Sequence, residues 1–267
     1  MNTGKTIRFN SIFRKSTGKS VIVAIDHGAI AGPMNGINEP EKLIEECVKH
    51  GADAVMVNRG FMRTAEAAFD RNLGVILRLT GGFTVLGGGF EEELISSVES
   101  ALKLGAAGAA VTVKFGHKRE GYFIKQASEI SDKCEEWGLP LMIEAMAKGD
   151  NLKSNDPEGI RLASRAAAEL GADIIKTYYT GDPDSFNKVI EGALVPVVIL
   201  GGAKTDKIED VFSDVYYSLQ AGGSGIAIGR NIWGYGNTAA MIEAVNGIVH
   251  EGWSVKQAVK HVGQQGI

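Results

Sequence analysis

The sequence has few side chains of the kinds that hold metals or form disulfides. It contains two cysteines and five histidines among 267 residues. Cys47 and Cys134 lie in helix-like segments and form no metal or redox motif, so we expect them to be buried thiols. The histidines are scattered, and none pairs with another histidine or a cysteine at metal-ligand spacing. We therefore predict neither a metal ion nor a cofactor.

The sequence also lacks long apolar runs and an excess of positive charge. No run approaches the roughly 20 residues of a membrane-spanning helix, and residues 1–5 lack the apolar core of a signal peptide. A net charge of -4 gives no electrostatic reason for binding nucleic acid or an anionic membrane. These absences favour a cytoplasmic protein whose partners are neither nucleic acids nor membranes.

The length and composition fit one large α/β domain. With 44% hydrophobic and 22% charged residues, the chain has enough apolar material for a large core. A length of 267 residues suits either two small domains or one (β/α)8 barrel, which typically has about 250 residues. Because neither a linker nor a low-complexity tract interrupts the chain, we expect a single domain over residues 1–267.

A weak repeat organises the chain. Helix-like segments end in glycine, often followed by alanine, and a short β-branched run comes next, as at Gly51, Gly105, Gly171 and Gly222. Glycine provides the left-handed backbone that ends a helix, so each repeat marks a joint between a helix and a strand. The strands are short and uniformly apolar, which is typical of parallel strands that are buried on both faces.

Eight such strands occur, and each precedes a helical pattern. They are predicted at about residues 21–26, 54–58, 75–79, 109–114, 140–145, 173–177, 196–200 and 224–229. Eight alternating units predict a (β/α)8 barrel, with residues 1–20 as an N-terminal extension that covers the N-terminal end of the barrel. The alternative is a doubly wound open sheet. It would place a glycine-rich phosphate loop after the first strand, where this sequence has Asp26-His27-Gly28.

Lys176 is the most informative residue, because it ends the sixth predicted strand just before a polar loop that contains glycine. Burying an ammonium group is costly, so packing rarely places a lysine at such a position. A lysine there can lose its proton, and its neutral amine can then attack a carbonyl carbon. We predict that Lys176 is a catalytic nucleophile.

The last two strand ends indicate an anion site at the barrel mouth, where barrel enzymes place their active sites. One end carries Gly201, Gly202 and Lys204, and the other carries Gly229 and Arg230. Glycine amides beside cations at the seventh and eighth loops favour phosphate binding. The alternative is that these glycines only form tight turns.

Two acidic residues are candidates for proton transfer. Asp26 ends the first strand, and its alternative roles are a helix cap or a partner for a cation. Glu144 shares a strand face with Met146, so we expect it in the barrel lumen, where a buried carboxylate needs a partner such as Lys114 or Lys148. Glu144 is then either an acid/base or one half of a structural ion pair.

Further polar residues end other strands. His27 is expected to be a hydrogen-bonding neighbour rather than the base. Arg59 and Arg78 either clamp a second anionic group or pair with acids at the rim. Lys114 ends the fourth strand, where a second cation would lower the pKa of Lys176.

Segments spread along the chain resemble one enzyme family. They lie at residues 12–13, 16–19, 25–28, 32–33, 58–60, 174–182, 201–205 and 227–232. In this order they resemble the class I aldolase family that includes archaeal-type fructose-bisphosphate aldolases, 2-amino-3,7-dideoxy-heptulosonate synthases and the autoinducer-2 phosphate thiolase. The resemblance spans nearly the whole chain.

The resemblance implies a (β/α)8 barrel in which Lys176 forms a Schiff base with a phosphorylated ketose. It implies that Asp26 is an acid/base, that the glycine loops of the seventh and eighth strands hold the phosphate, and that the protein is a homo-oligomer, possibly a decamer. The aldolases and synthases of the family carry an acid/base tyrosine on the fifth strand. This sequence has Met146 there, and Glu144 is our candidate replacement.

The sequence therefore predicts a class I aldolase that cleaves or forms a carbon–carbon bond of a ketose phosphate. A transferase of the same family, which passes the enamine or acyl group to a carbonyl or a thiol, is the first alternative. The others are a sugar-phosphate isomerase that forms no covalent adduct and a catalytically inactive sugar-phosphate-binding protein.

Overall fold

Strands and helices alternate over the residues that the computed structural model describes, which are 2–70, 72–87, 91–149 and 152–266. The strands are β1 (Ser20–Ala24), β2 (Ala54–Val57), β3 (Gly74–Arg78), β4 (Thr80–Gly81), β5 (Glu93–Leu94), β6 (Gly108–Phe115), β7 (Leu141–Ala147), β8 (Ile174–Thr177), β9 (Val197–Leu200) and β10 (Gly225–Ile228). The α-helices are α1 (Thr3–Ile12), α2 (Gly28–Ala31), α3 (Pro40–Lys49), α4 (Arg59–Thr64), α5 (Val98–Lys103), α6 (Glu120–Trp137), α7 (Pro157–Glu169), α8 (Pro183–Ala193), α9 (Ile208–Gln220), α10 (Arg230–Trp233), α11 (Thr238–Glu251) and α12 (Val255–Gln264). None of the helices in the described ranges combines the length and the hydrophobicity needed to cross a membrane.

Eight of these strands form a closed parallel barrel in the order β1-β10-β9-β8-β7-β6-β3-β2. Each of the eight predicted strands overlaps one barrel strand, so the predicted (β/α)8 fold is confirmed and the open doubly wound sheet is wrong. The strands β4 and β5 form a separate antiparallel pair, with Thr80 opposite Leu94.

The N-terminal extension closes one end of the barrel. The lumen at this end is lined by small and apolar side chains, among them Ile22, Met56 and Ile76. Ile12 and Phe13, at the end of α1, pack against this cluster. Burying apolar surface in this way stabilises the barrel by about 25 cal/mol per Å². The packing of Ile12 and Phe13 confirms the predicted position of the extension.

The barrel closes where β1 pairs with β10, from Ser20 beside Gly225 to Val23 beside Ile228. Trp233, in the short helix that follows β10, donates from its indole nitrogen to the Ala24 carbonyl at 2.9 Å. Helix α11 then packs against β1, α3 and α9. The last helices of the ring thus complete the shell around the first strand.

Candidate active site

A cavity of about 770 Å³ opens at the C-terminal end of the barrel. Parallel strands all end on the same side, so residues that are far apart in the sequence meet there. Ten of the predicted site residues line it, namely Asp26, His27, Arg78, Lys114, Glu144, Lys176, Gly201, Gly202, Gly229 and Arg230.

Lys176 and Glu144 form an ion pair inside this cavity. They are neighbours in register on β8 and β7, and Lys176 Nζ lies 2.8 Å from Glu144 Oε1. Burial alone would raise the pKa of Glu144, but the charges of Lys176 and Arg78 outweigh burial and lower it. Glu144 is therefore a carboxylate that holds two cations. The partners of Glu144 are thus Lys176 and Arg78, and not Lys114 or Lys148 as expected. The register of β7 and β8 places Lys176 directly beside Glu144.

Arg78 gathers the acidic side chains of the site, and all five of its N–H donors have acceptors within the protein. The acceptors are the Thr80 carbonyl at 3.0 Å from Nε, Asp26 and Glu144, each at 2.9 Å from Nη1, and Glu92 at 3.3 Å and Thr112 at 2.5 Å from Nη2. With every donor engaged, the geometry favours Arg78 as a partner for acids over a clamp for a substrate anion.

The described residues include no group of three His, Cys, Asp or Glu that could hold a metal ion.

Asp26 and His27 follow β1 at the rim of the cavity. Asp26 Oδ2 accepts the Arg78 bond, and its Oδ1 lies 3.4 Å from His27 Nδ1. Burial lowers the pKa of His27. The Asp26 charge acts to raise this pKa, whereas the charges of Lys176 and Arg230 lower it further. A pKa below the ordinary 6.5 leaves the imidazole neutral at pH 7. His27 can therefore contribute a neutral hydrogen-bonding group beside the Asp26 carboxylate.

The ends of β9 and β10 bring glycine backbone close to one cation. Gly202 has a φ of 60°, which favours glycine. A Cβ at Gly229 would lie 2.3 Å from the Ala24 oxygen, so only glycine fits at that position. Arg230 donates from Nη2 to the Gly202 carbonyl at 2.8 Å. Unobstructed backbone beside a guanidinium can hold an anion.

Two of the predicted cations lie outside the cavity. Lys204 is exposed, and its ammonium lies over the ring of Tyr235, 4.7 Å from the centroid. Arg59 is exposed at the start of α4. Neither lines the cavity, so the geometry gives no support to their predicted roles in holding phosphate or a second anion. Tyr178 also lines the cavity.

The similarity of the chain to known proteins agrees with this geometry. The family model described as DeoC/LacD family aldolase matches residues 20–234, from the start of β1 to just beyond α10. The chain belongs to this aldolase family. The matched range contains every strand of the barrel and every residue predicted for the site.

Relatives of the chain include a thiolase as well as an aldolase. A 3-hydroxy-5-phosphonooxypentane-2,4-dione thiolase of Yersinia pseudotuberculosis is 33% identical over 251 residues, which cover 94% of this chain and 84% of the thiolase. An uncharacterized aldolase of Saccharolobus solfataricus is 29% identical over 96% of this chain and 98% of that protein.

Solved structures of archaeal fructose-1,6-bisphosphate aldolases are similar to this chain over almost their whole length. One of them has a TM-score of 0.84 and 34% sequence identity to this protein. The match covers 93% of this protein and 100% of the aldolase. In another, the catalytic lysine is covalently bound to the carbinolamine intermediate of the substrate. It has a TM-score of 0.83 and 34% identity, and covers 92% of this chain and 99% of that chain. Family membership therefore establishes an enzyme of the aldolase type.

Two residues of the site, Thr112 and Glu92, were not predicted from the sequence. Thr112 donates from Oγ1 to Glu144 at 2.7 Å. It stands two positions before Lys114 on β6, so strand alternation places both on the lumen face, and that signal was available. Glu92 reaches Arg78 from the segment before β5. Glu92 does not end a barrel strand, so its position in the sequence does not indicate that it belongs to the site.

Proposed function

We propose that the protein is a class I aldolase in which Lys176 forms a Schiff base with a phosphorylated ketose, so that the adjacent carbon–carbon bond is cleaved or formed. The observation that carries this proposal is the buried amine of Lys176. It is paired with Glu144 at 2.8 Å, in the same cavity as Gly202 and Arg230. Membership of an aldolase family supports it, as does similarity to a structure whose lysine holds a carbinolamine.

The pairing of Lys176 with Glu144 suits the first chemical steps. The neutral amine adds to the ketone carbon, and loss of water gives a protonated imine. The imine nitrogen carries a positive charge where the ammonium group stood. The Glu144 carboxylate, whose pKa is lowered, stabilises that charge in both states. Glu144 is thereby better suited to stabilise charge than to act as a base.

Cleavage follows from the charge on the imine. The protonated imine withdraws the electron pair of the neighbouring carbon–carbon bond, and an enamine is left on Lys176. A substrate hydroxyl must lose its proton in the same step. Asp26, which the family resemblance implies as an acid/base, is held in the cavity by Arg78 at 2.9 Å.

The glycine loops position the substrate. A phosphate held by backbone N–H groups near Gly201 and Gly202 and by Arg230 leaves the carbon chain directed toward the lumen. Fixing one end of the substrate holds the ketone beside Lys176, which removes the entropic cost of bringing the reacting atoms together.

Transfer of an acyl group to a thiol is the second candidate reaction. It is favoured by the 33% identity to a thiolase over 94% of the chain. The same Schiff base would form on Lys176, and the bond would break when a thiol attacks. Consumption of a phosphorylated diketone only when a thiol acceptor is added would select this reaction over simple cleavage.

Borohydride reduction with a panel of phosphorylated ketoses tests the Schiff base. Intact-protein and peptide mass spectrometry should show a ketose-dependent adduct on Lys176, absent from Lys176→Met. Lys204→Met is the matched control, because Lys204 lies outside the cavity and its loss should leave the adduct unchanged. A lack of adduct with every ketose, or an adduct on a different lysine, would contradict the proposal.

A further inference from the structure

Lys114 stands one layer above the pair formed by Lys176 and Glu144. Strands β6 and β7 pair so that Thr112 lies beside Glu144 and Lys114 lies beside Met146. Glu144 lies beside Lys176 in turn. Two residues of a strand span about 7 Å, so Lys114 enters the lumen about 7 Å nearer the mouth than the layer of the nucleophile.

The amine of Lys114 is buried without a hydrogen-bond acceptor. Lys114 is 5% exposed, and within the described ranges nothing accepts a hydrogen bond from its Nζ. The closest charged partner is Glu92, whose Oε1 lies 3.8 Å away. The rings of Phe83 and Phe123 lie 5.1 and 6.0 Å from the amine. A buried amine that lines the cavity and lacks an acceptor has its hydrogen-bonding capacity available for a ligand.

Burial is the main reason why the pKa of Lys114 is lowered, and the charged groups that face it act in both directions. Burial lowers the pKa of Lys114, Glu92 and Glu144 oppose this, and Arg78 and Lys148 lower the pKa further. Burial also raises the pKa of Glu92. The pKa values of the two partners therefore shift toward each other, and the population of free amine at a given pH is larger than for an exposed lysine.

The carboxylates of Glu144 and Asp26 are already engaged with cations. Glu144 holds Lys176 and Arg78, each within 2.9 Å, and Asp26 is bound to Arg78 at 2.9 Å. The thioether of Met146, beside Lys114, cannot carry a proton. Among the charged lumen residues on the described barrel strands, Lys114 is thus the one without a close ion pair.

We propose that Lys114 is a further catalytic residue and that its free amine, rather than Asp26, removes the proton from the substrate hydroxyl that becomes the product carbonyl. The inference rests on the proposed Schiff base at Lys176. The O–H bond breaks and an N–H bond forms on Lys114. The oxygen electron pair forms the new carbonyl, and the pair of the cleaved carbon–carbon bond moves into the enamine. The Lys114 ammonium then returns its proton to the enamine carbon, and water releases the ketone from Lys176.

Two substitutions separate this role from anion binding. Lys114→Met removes both the base and the charge, whereas Lys114→Arg keeps the charge but removes the base at neutral pH. We expect both variants to retain borohydride trapping of the ketose on Lys176 and to lose about 10²–10⁴-fold in kcat. Retained kcat in Lys114→Arg with a raised KM in Lys114→Met would assign Lys114 to anion binding and overturn the proposal.

A chemical replacement gives a second test. Lys114→Cys alkylated with 2-bromoethylamine carries an amine of nearly the same length, whose sulfur atom lowers its pKa. We expect recovery of activity, with the acidic limb of the kcat profile moved to lower pH. Burial raises the pKa of Cys134 to about 12 and also raises that of Cys47, so neither native thiol should compete for the reagent.

The control is Lys125→Cys treated in the same way, because Lys125 is exposed on α6 and does not line the cavity. Its profile should not move. No recovery in the alkylated Lys114→Cys protein, or recovery with an unmoved profile, would contradict the inference. Absence of trapping in the unmodified protein would instead contradict the proposed Schiff base, so the two failures are distinguishable.

Discussion

The lumen of the barrel changes character within two residues of each strand. On β3 and β8 the layer nearer the N-terminal end presents Ile76 and Ile174, which are buried among other apolar side chains. Two positions later the same strands present Arg78 and Lys176, which are ion-paired. Both layers lie on the same backbone and face the same way, so the contrast comes from side chains alone. The apolar layer provides a rigid base for a charged layer whose geometry must be held closely.

The two layers are stabilised by different forces. The apolar layer gains free energy from leaving water, in proportion to its buried area. In the charged layer, burial removes the hydration of each charge. The free energy lost in this way is offset only while each charge keeps its partners. Substitutions in the two layers should therefore differ in size and in their dependence on pH.

The largest effect is expected for Arg78→Met. It leaves Asp26, Glu144 and Glu92 without their shared cation, and breaking a buried ion pair typically costs about 3–5 kcal/mol. Urea unfolding should show this loss. Ile76→Val, on the same strand in the apolar layer, is the matched control and should cost about 0.5–1.5 kcal/mol. Equal losses in the two variants would show that the layers do not differ as described.

A smaller effect is expected at the phosphate loops. Arg230→Met should raise KM for a phosphorylated ketose by about 10- to 100-fold, because a charge-assisted hydrogen bond contributes about 1.5–3 kcal/mol. Lys204→Met, in the neighbouring loop but outside the cavity, should change KM by less than about twofold. Steady-state kinetics of the two variants measures the difference. Similar KM values would remove the support for phosphate at Arg230.

The charged layer should also respond to acid. The pKa of Glu144 is lowered on folding from 4.5, so its contribution to stability is complete well above pH 4.5 and is lost as pH falls toward the folded pKa. The difference in unfolding free energy between the natural protein and Glu144→Gln should shrink below pH 4.5. We expect the change to exceed about 1.4 kcal/mol, the equivalent of one pKa unit. A difference that stays constant from neutral pH to pH 3 would contradict this.

The smallest effect is expected at the apolar end. Ser20 donates from Oγ to the Ile12 carbonyl at 2.7 Å. Ser20→Ala removes this neutral hydrogen bond and should cost about 0.5–1.5 kcal/mol in unfolding free energy. The rate of turnover should not change, because the contact lies at the opposite end of the barrel from the cavity. A lowered kcat would indicate that the two ends are coupled.

Local patterns in the sequence predicted the strands of the barrel and most of the residues that line the cavity. Glycine joints and short apolar runs predicted the eight strands, and strand parity placed Glu144 in the lumen. The partners of Glu144 were not predictable, because they depend on the stagger between neighbouring strands of a closed barrel. Lys204 and Arg59 lie beyond strand ends, where loop conformation decides the direction of a side chain.

Some expectations remain predictions from the sequence alone. These are the single domain over residues 1–267, the homo-oligomer that the resemblance implies, and the cytoplasmic location. Light scattering of the purified protein measures the oligomeric state directly.

The pairing of β1 with β10 has a consequence for how the chain acquires its structure. Its partners are separated by about 200 residues of sequence, so this contact closes a very long loop and slows folding. During synthesis, one edge of β1 has no partner until β10 has emerged, and an unpaired strand edge can join another chain. Trp233 and α11 can cover that edge only after β10 is in place. We therefore expect newly made chains to be most prone to aggregation just before the barrel closes.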